Sequence, residues 1–391
     1  DEKLYEKKII VPLFSEKEFV LKESISCEKF KRGIYSISVL WSCGTNNVKT
    51  NISVRICGNP YDGGLPVGMW WEAAYKKKGF DEITALYREK GFNALQTMVV
   101  LPELLDECLW QGLYCTSITH GNASGENGKR IETGIRLQGS GAPYLLGKNT
   151  RWSIANTNWQ DAVAKSIGKQ VGKFVLHPAY LPYVNTSDDY FHWTGLDYNE
   201  ENVRKFKLLT ERDAPRPSEV LTNAFPLFIS HSKGIVADDN EWIQWMRFLC
   251  KDVLGRYNKG VTDTVLQETA GRGRIGPVCG GGLEDVMGFV PYADILSGQW
   301  PPYNFGNNGF NLLCCYNYNF YKYPSLVQLW WYELGKMENR DLPQWLMPET
   351  MDRRKAVHLQ NFYLYMAANQ KGIMYFIYEQ TTEGAWAALQ E

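Results

Sequence analysis

The sequence predicts an α/β protein, a (β/α)8 TIM barrel over residues 61–391 preceded by a small N-terminal β-sandwich-like module over residues 1–60. From residue 65 onward, short apolar runs alternate with stretches of helical period, which is the order of elements in a parallel α/β fold. Residues 172–206 pass from a basic and apolar run, through acidic and aromatic residues, into a helical pattern. A buried strand that leads into a polar turn before a helix is where such a barrel places its reactive groups.

The first module has the alternation of β-strands. Residues 9–14, 35–41 and 52–56 read as strands, and the turn-forming residues 44–47 separate the last two as in a hairpin. We therefore expect a small β-sandwich or half of one. The segment 59–66 is rich in turn formers and marks the boundary to the barrel.

The rest of the chain reads as eight strand-then-helix units. The expected strands are 65–71, 93–100, 112–119, a fourth led by 173–176, then 261–266, 293–297, 344–347 and 372–377. The expected helices are 80–90, closed by Gly91, then 102–110, 159–171, 202–209, 241–254, 325–337 and 353–368. Eight strands are what a closed parallel barrel with right-handed crossovers requires. No helix is expected after the eighth strand.

The overall composition argues against nucleic-acid binding and against a membrane-spanning protein. Hydrophobic residues make up 44% of the chain and charged residues 22%, as in ordinary folded proteins, and the formal net charge is −1. Without a basic surplus we expect no nucleic-acid partner, and no apolar run reaches the roughly 20 residues of a membrane span. Aromatic residues reach 14%. Flat exposed rings are common stacking surfaces for sugars, and the same residues also fill cores.

Cysteines and sequons bear on the compartment. The nine cysteines are an odd number and contain no CxxC pair, so no zinc ribbon is indicated. Three sequons begin at Asn51, Asn122 and Asn185. They favour an extracellular or periplasmic protein.

A set of polar residues lies where the expected strands end. Two carboxylates that face each other across an aromatic mouth are what glycoside hydrolysis needs, because one protonates the leaving oxygen and the other attacks or stabilises the anomeric carbon. The candidate carboxylates are Asp188, Asp189, Glu268 and Glu349. The candidate contacts to an oligo- or polysaccharide substrate are Trp70, His120, Asn185, His192, Trp300, Tyr303 and Glu379.

Residues 188–206 begin Asp188-Asp189-Tyr-Phe-His-Trp and end Val-Arg-Lys-Phe. They resemble the segment after the acid/base residue in β-galactosidase-like barrels of glycoside hydrolase clan A. Residues 226–230, 241–254 and 353–377 resemble later parts of the same layout. The resemblance implies a retaining glycoside hydrolase acting on a β-linked glycan. It assigns the general acid/base to Asp189 or Asp188 and the nucleophile to Glu349. No cofactor is implied, since two carboxyls with different pKa values suffice.

The sequence departs from that family at one position, and this difference makes two other functions possible. Its members carry Asn-Glu at the end of the fourth strand, where this chain has Ser187-Asp188-Asp189. Aspartate is one methylene shorter, and a displacement of about 1 Å costs roughly a hundredfold in rate. One rival is therefore a catalytically inactive carbohydrate-binding protein on a degenerate barrel. Another is a lyase or epimerase that uses Glu268 with His120 or His192.

Each candidate also has an ordinary structural interpretation. Asp188 and Asp189 follow Asn-Thr-Ser and are typical turn or cap residues. Glu349 follows a proline and suits the first turn of a helix, whereas Glu268 and Glu379 suit salt-bridged rim positions. The histidines lack metal-ligand spacing. The glycine-rich stretches 271–274 and 279–282 lack the spacing of a phosphate loop and indicate flexible loops.

Overall fold

The structure of the chain is a computed structural model. The described residues are 32–43, 45–57, 65–71, 79–119, 153–186, 197–215, 239–280, 311–317, 343–348, 353–367, 370–375 and 381–391, with the short pieces 124, 129, 131, 137, 145–146, 149–150 and 309. The chain divides into two compact units, Asp1–Ile56 and Cys57–Glu391. Each unit is described below by itself.

In the first unit, the described residues form one antiparallel hairpin. Strand β1 (Gly33–Cys43) pairs with β2 (Asn46–Ile56), with Cys43 opposite Asn46 and Gly33 opposite Ile56. The predicted hairpin is confirmed, and its turn is shorter than expected because Asn46 already pairs. The predicted sandwich stays a prediction, since residues 9–14 lie outside the described residues.

The second unit contains a closed barrel of eight strands. The described strands of this unit, within and outside the barrel, are β3 (Val67–Trp71), β4 (Ala94–Thr97), β5 (Tyr114–Thr119), β6 (Leu145–Leu146), β7 (Asn149–Thr150), β8 (Tyr180–Thr186), β9 (Arg274–Gly280), β10 (Leu313–Asn317), β11 (Gln344–Pro348) and β12 (Gly372–Tyr375). The short strands β6 and β7 pair with each other. The other eight close in the order β10-β11-β12-β3-β4-β5-β8-β9, and every neighbouring pair is parallel.

Helices lie between the barrel strands in the chain. They are α1 (Phe80–Glu89), α2 (Pro102–Gln111), α3 (Thr157–Gly172), α4 (Glu200–Thr210), α5 (Glu241–Phe248), α6 (Arg256–Glu268), α7 (Lys355–Ala367) and α8 (Glu383–Leu389). A π-helical segment, Leu249–Gly255, joins α5 to α6. Gly91 follows α1 with φ +84°, a left-handed conformation that glycine adopts without strain, and the predicted end of this helix is confirmed.

Side chains of the barrel strands alternate between two cores. Leu95 packs in the core between strands and helices, whereas its neighbour Ala94 packs inside the barrel, in a space that we call the lumen. The buried apolar residues of the lumen cluster are Trp70, Ala94, Tyr114, Ile118, Leu312, Trp345 and Met374, with Leu181 and Tyr183 packed against them. Burial on both faces explains why these strands read as apolar runs in the sequence.

The predicted fifth strand at 261–266 is wrong, because these residues lie inside α6. Tyr257, Val261 and Val265 recur four residues apart and are all buried, which is a helical spacing. The fifth and sixth barrel strands are β9 and β10. Strand β10 takes the place that we expected for residues 293–297, which lie outside the described residues.

Two further predictions about element boundaries are also wrong. Residues 173–176 form a turn after α3 instead of leading the fourth strand. The amide of Val175 donates to the carbonyl of Gly172 at 3.2 Å, and the strand begins only at Tyr180. A helix does follow the eighth strand. It is α8, whose first turn is capped by the Thr382 side chain accepting from the amide of Ala385.

Candidate active site at the carboxyl ends of the strands

All eight barrel strands run in the same direction, so their carboxyl ends lie at one end of the barrel, which we call the mouth. The strands finish at Trp71, Thr97, Thr119, Thr186, Gly280, Asn317, Pro348 and Tyr375. In enzymes of this architecture, the segments that leave the strands at this end build the active site. The mouth is therefore the candidate active site.

Several of the predicted site residues lie at or just after the carboxyl ends of strands. Asn185 is the penultimate residue of β8, and its backbone lies between Ile118 of β5 and Gly276 of β9. In the sequence, Glu349 comes immediately after the last residue of β11, and Asp188 comes two residues after the last residue of β8. The predicted residues outside the described part of the chain are Asp188, Asp189, His192, His120, Trp300, Tyr303, Glu349 and Glu379.

Glu268 is not at the mouth, and its predicted position at the end of a strand is wrong. It is the last residue of α6, and β9 begins at Arg274, so Glu268 lies at the end of the barrel where strands start. It packs closely against the end of α3, since a Cβ built on Gly172 would be 2.8 Å from the Glu268 Cβ. This glutamate is therefore removed from the candidate carboxylates.

The two neighbouring tryptophans of β3 face opposite sides of the sheet. Trp70 belongs to the lumen cluster and is 7% exposed, one residue below the mouth. Trp71 is fully buried in the outer core, with its ring 6.3 Å from that of Phe80 in an edge contact. Trp70 remains a predicted substrate contact, whereas Trp71 is a core residue.

A chain of polar groups crosses the lumen below the mouth, and sequence reasoning missed it. The Nε2 of Gln96 donates to Thr116 Oγ1 at 3.4 Å, and Thr116 Oγ1 donates to the carbonyl oxygen of Tyr183 at 2.7 Å. Gln96 and Thr116 are fully buried. Gln96 and Thr116 are polar residues within buried strands, and no sequence pattern shows which side of the sheet they face.

An aromatic pair lies in the same lumen. The rings of Tyr183 and Trp345 are 5.2 Å apart, and Trp345 is only 1% exposed. The indole lies against β12, because a Cβ built on Gly372 would be 2.8 Å from Trp345 Nε1. Glycine at this position makes room for the indole.

A buried carboxylate fixes two of the segments that leave the mouth. Asp197, between β8 and α4, is 3% exposed. Its Oδ2 accepts from Ser153 Oγ at 2.6 Å and from Asn202 Nδ2 at 3.1 Å, and its Oδ1 accepts from the amide of Asn199 at 3.1 Å. Ser153 precedes α3, so Asp197 links the connection after β5 to the connection after β8. The sequence signal was an Asp-Tyr-Asn start to a helix.

Strongly perturbed pKa values occur among residues of the core between strands and helices. Burial raises the pKa of Tyr180 and of Tyr375 well above the ordinary value. The hydrogen bond to Cys115, together with burial, raises the pKa of the Cys108 thiol. These groups stay protonated near neutral pH in the outer core, so none of them is a candidate acid, base or nucleophile.

The described part of the chain contains neither a metal-binding cluster nor a membrane-spanning helix. Among the described residues, no three His, Cys, Asp or Glu side chains are grouped to hold a metal ion. None of the helices in the described ranges is long and apolar enough to cross a membrane.

Comparison with known proteins finds similarity in structure alone. No family model and no curated protein sequence matches the chain. The β-galactosidase of the psychrophilic Marinomonas ef1 is similar with a TM-score of 0.60 and 13% identity, covering 83% of this chain and 58% of that one. The β-galactosidase of Rahnella sp. R3 is similar with a TM-score of 0.55 and 11% identity, covering 82% of this chain and 51% of that one. The β-galactosidase of Bacillus circulans sp. alkalophilus is similar with a TM-score of 0.53 and 11% identity, covering 80% of this chain and 50% of that one.

These likenesses extend over the barrel but not over the whole of the other proteins. The chain spans between 50% and 58% of the length of the three β-galactosidases. At identities of 11–13%, the similarity concerns the fold. At that level, the resemblance to β-galactosidase-like barrels that the sequence predicts is confirmed.

Proposed function

We propose that the chain is a glycoside hydrolase that cleaves a β-linked glycan with retention of configuration. One observation carries the proposal: candidate carboxylates follow β8 by two or three residues and β11 by one, and these are the fourth and seventh strands of a closed parallel barrel. Because parallel strands end on one side, both segments leave the barrel at the mouth. The structural likeness to β-galactosidases supports the same conclusion.

The two carboxylates have different roles in this proposal. Glu349 attacks the anomeric carbon while Asp189 gives its proton to the leaving oxygen, so the glycosidic bond breaks and a glycosyl ester on Glu349 forms. Asp189 then takes a proton from water, which attacks the anomeric carbon and releases Glu349. Retention requires the two carboxyls to be about 5–5.5 Å apart. Asp188 is the alternative acid/base.

Substrate contacts are assigned to the aromatic and polar residues around the mouth. Trp70 is the described member of this set, and its indole lies in the lumen just below the strand ends. The other proposed contacts are His120, Asn185, His192, Trp300, Tyr303 and Glu379. Stacking on rings and hydrogen bonds to hydroxyl groups are the usual means of holding a sugar, and binding energy of this kind orients the reacting bond.

A second candidate function is a carbohydrate-binding protein without turnover. The observation in its favour is Ser187-Asp188-Asp189 after β8, where β-galactosidase-like barrels carry Asn-Glu. A shorter acid would leave the sugar bound and the leaving oxygen unprotonated. The lyase or epimerase that relied on Glu268 is no longer proposed, because this residue lies at the opposite end of the barrel.

The test is turnover on a panel of aryl β-glycosides and soluble β-glycans. Wild type is compared with Glu349→Gln, Asp189→Asn and Asp188→Asn, and Glu268→Gln serves as a matched control away from the mouth. We expect loss of several orders of magnitude in Glu349→Gln and in one aspartate variant, with Glu268→Gln unchanged. Binding of glycans by wild type without turnover would favour the second function, and equal activity in all variants would contradict both assignments.

A further inference from the structure

The lumen holds two buried polar atoms that lack a hydrogen-bond partner in the described part of the chain. They are Oε1 of Gln96 and Nε1 of Trp345. Gln96 is fully buried and Trp345 is 1% exposed. Leaving such an atom unpaired costs about 1–3 kcal/mol, and buried polar groups in native proteins are nearly always paired. Both atoms therefore point to a partner that the protein binds.

The orientation of the Gln96 amide follows from its neighbour. Thr116 has one hydroxyl proton, which it donates to the Tyr183 carbonyl at 2.7 Å. Towards Gln96 it can only accept, and so it receives the Nε2–H at 3.4 Å. The amide nitrogen is thus assigned to the Thr116 side, and Oε1 is the atom left open.

The open atoms belong to one region of the barrel. Gln96 stands in register between Trp70 of β3 and Thr116 of β5, one residue below the mouth. Tyr183 connects this row to the second open atom, since its carbonyl bonds Thr116 and its ring lies 5.2 Å from that of Trp345.

The chemistry of the two atoms selects the ligand. Gln96 Oε1 needs a donor and Trp345 Nε1 needs an acceptor, and a hydroxyl group is both. The described lumen cluster is lined by apolar and aromatic side chains, and such surroundings favour a neutral ligand over an ion. We propose that this region is a binding site for a hydroxyl group, with Gln96 as its acceptor and Trp345 as its donor.

Two sources supply such a hydroxyl, a water molecule and a sugar held at the mouth. A water would complete the floor beneath the substrate. A sugar hydroxyl would make Gln96 a determinant of substrate choice, because a site built to bond a hydroxyl rejects analogues that lack it. The sugar source rests on the proposed function, whereas the water source does not.

The experiment combines a high-resolution crystal structure of the unliganded protein with calorimetric titration of D-galactose. The test variant is Gln96→Met, which keeps the length of the side chain and removes the acceptor. The matched control is Gln267→Met, an exposed position on α6. Trp345→Phe removes the donor independently.

A water source predicts density about 2.7–3.2 Å from Gln96 Oε1 in wild type that is lost in Gln96→Met, with an unchanged Kd for galactose. A sugar source predicts a Kd raised about tenfold or more in Gln96→Met and Trp345→Phe, and unchanged in Gln267→Met. An empty lumen together with an unchanged Kd in both test variants overturns the inference. If wild type binds no D-galactose, the water density alone decides the inference, and an empty lumen overturns it; turnover on the glycoside panel decides the proposed function.

Discussion

The indole of Trp345 in β11 lies against Gly372 in β12, its register partner, so closely that a Cβ on Gly372 would be 2.8 Å from the indole Nε1. Real Cβ atoms do not approach other heavy atoms to this distance. The glycine therefore sets the position of a buried tryptophan of the lumen, and through it the position of Tyr183, whose ring lies 5.2 Å away.

Gly372→Ala should therefore destabilise the fold. Neither the indole nor the strand backbone is the free end of a flexible side chain, so the added methyl forces a shift that costs about 1–3 kcal/mol. The free energy of unfolding in urea measures the effect. Gly260→Ala in α6 is the matched control, because its nearest neighbour would be 3.9 Å from the new Cβ. We expect this control to be neutral or slightly stabilising, and equal stability of the two variants would contradict the account.

Asp197→Ala should be among the most damaging substitutions outside the apolar cores. It removes the carboxylate that accepts from Ser153, Asn202 and the amide of Asn199, whereas Asn202 keeps its hydrogen bond to the Asp197 carbonyl at 3.2 Å. We expect a loss of about 2–4 kcal/mol in unfolding free energy. Ser153→Ala, which removes one donor and leaves the others, should cost distinctly less. A loss for Asp197→Ala no larger than that for Ser153→Ala would show that the bonds to Asn199 and Asn202 do not contribute.

Asn156 should contribute to stability as the N-cap of α3. Its side-chain oxygen accepts from the amides of Asn158 at 3.0 Å and Trp159 at 3.2 Å. Asn156→Ala should cost about 1 kcal/mol, and Asn156→Asp should retain most of the stability because aspartate caps in the same way. Thermal and urea unfolding check this. Equal losses in the two variants would mean that the cap hydrogen bonds are not responsible.

The ion pair on α4 should contribute stability only above acidic pH. The hydrogen bond from Arg204 lowers the pKa of Glu201, and Lys205 acts in the same direction. A carboxyl whose pKa is lower in the folded than in the unfolded state contributes above the unfolded value, and this contribution is lost as pH falls through the folded value. The stability difference between wild type and Glu201→Gln should therefore be small at pH 7 and vanish by about pH 2. A difference that grows on acidification would contradict the assignment.

The strands nearest the beginning of the barrel were predictable because apolar runs and amphipathic helices alternate there with short connections. Residues 65–71, 93–100 and 112–119 contain β3, β4 and β5 with small errors at the ends. The prediction failed in α6, where Val261, Thr262, Thr264 and Val265 have the β-branched composition of a strand. Tyr257, Val261 and Val265 are buried at a four-residue spacing, which fits a helix. Tertiary packing therefore overrides the local preference of these residues for a strand.

The interior of the candidate site was less predictable than the fold. A strand buried on both faces shows no contrast between its two sets of side chains, so the sequence does not tell which set enters the lumen. Gln96 was read as an ordinary strand residue for this reason. The network around Asp197 joins residues 44 positions apart, and no local pattern reports such a contact.

The central claim is that a carboxylate after β11 performs nucleophilic catalysis at the mouth. A 2-deoxy-2-fluoro-β-glycoside with a good leaving group traps the covalent intermediate of a retaining enzyme, and peptide mass spectrometry locates the label. The account predicts one fluoroglycosyl group per chain on the peptide that contains Glu349, and no label in Glu349→Gln. Labelling of a different carboxylate in an active wild-type protein, or turnover that survives in Glu349→Gln, would contradict it.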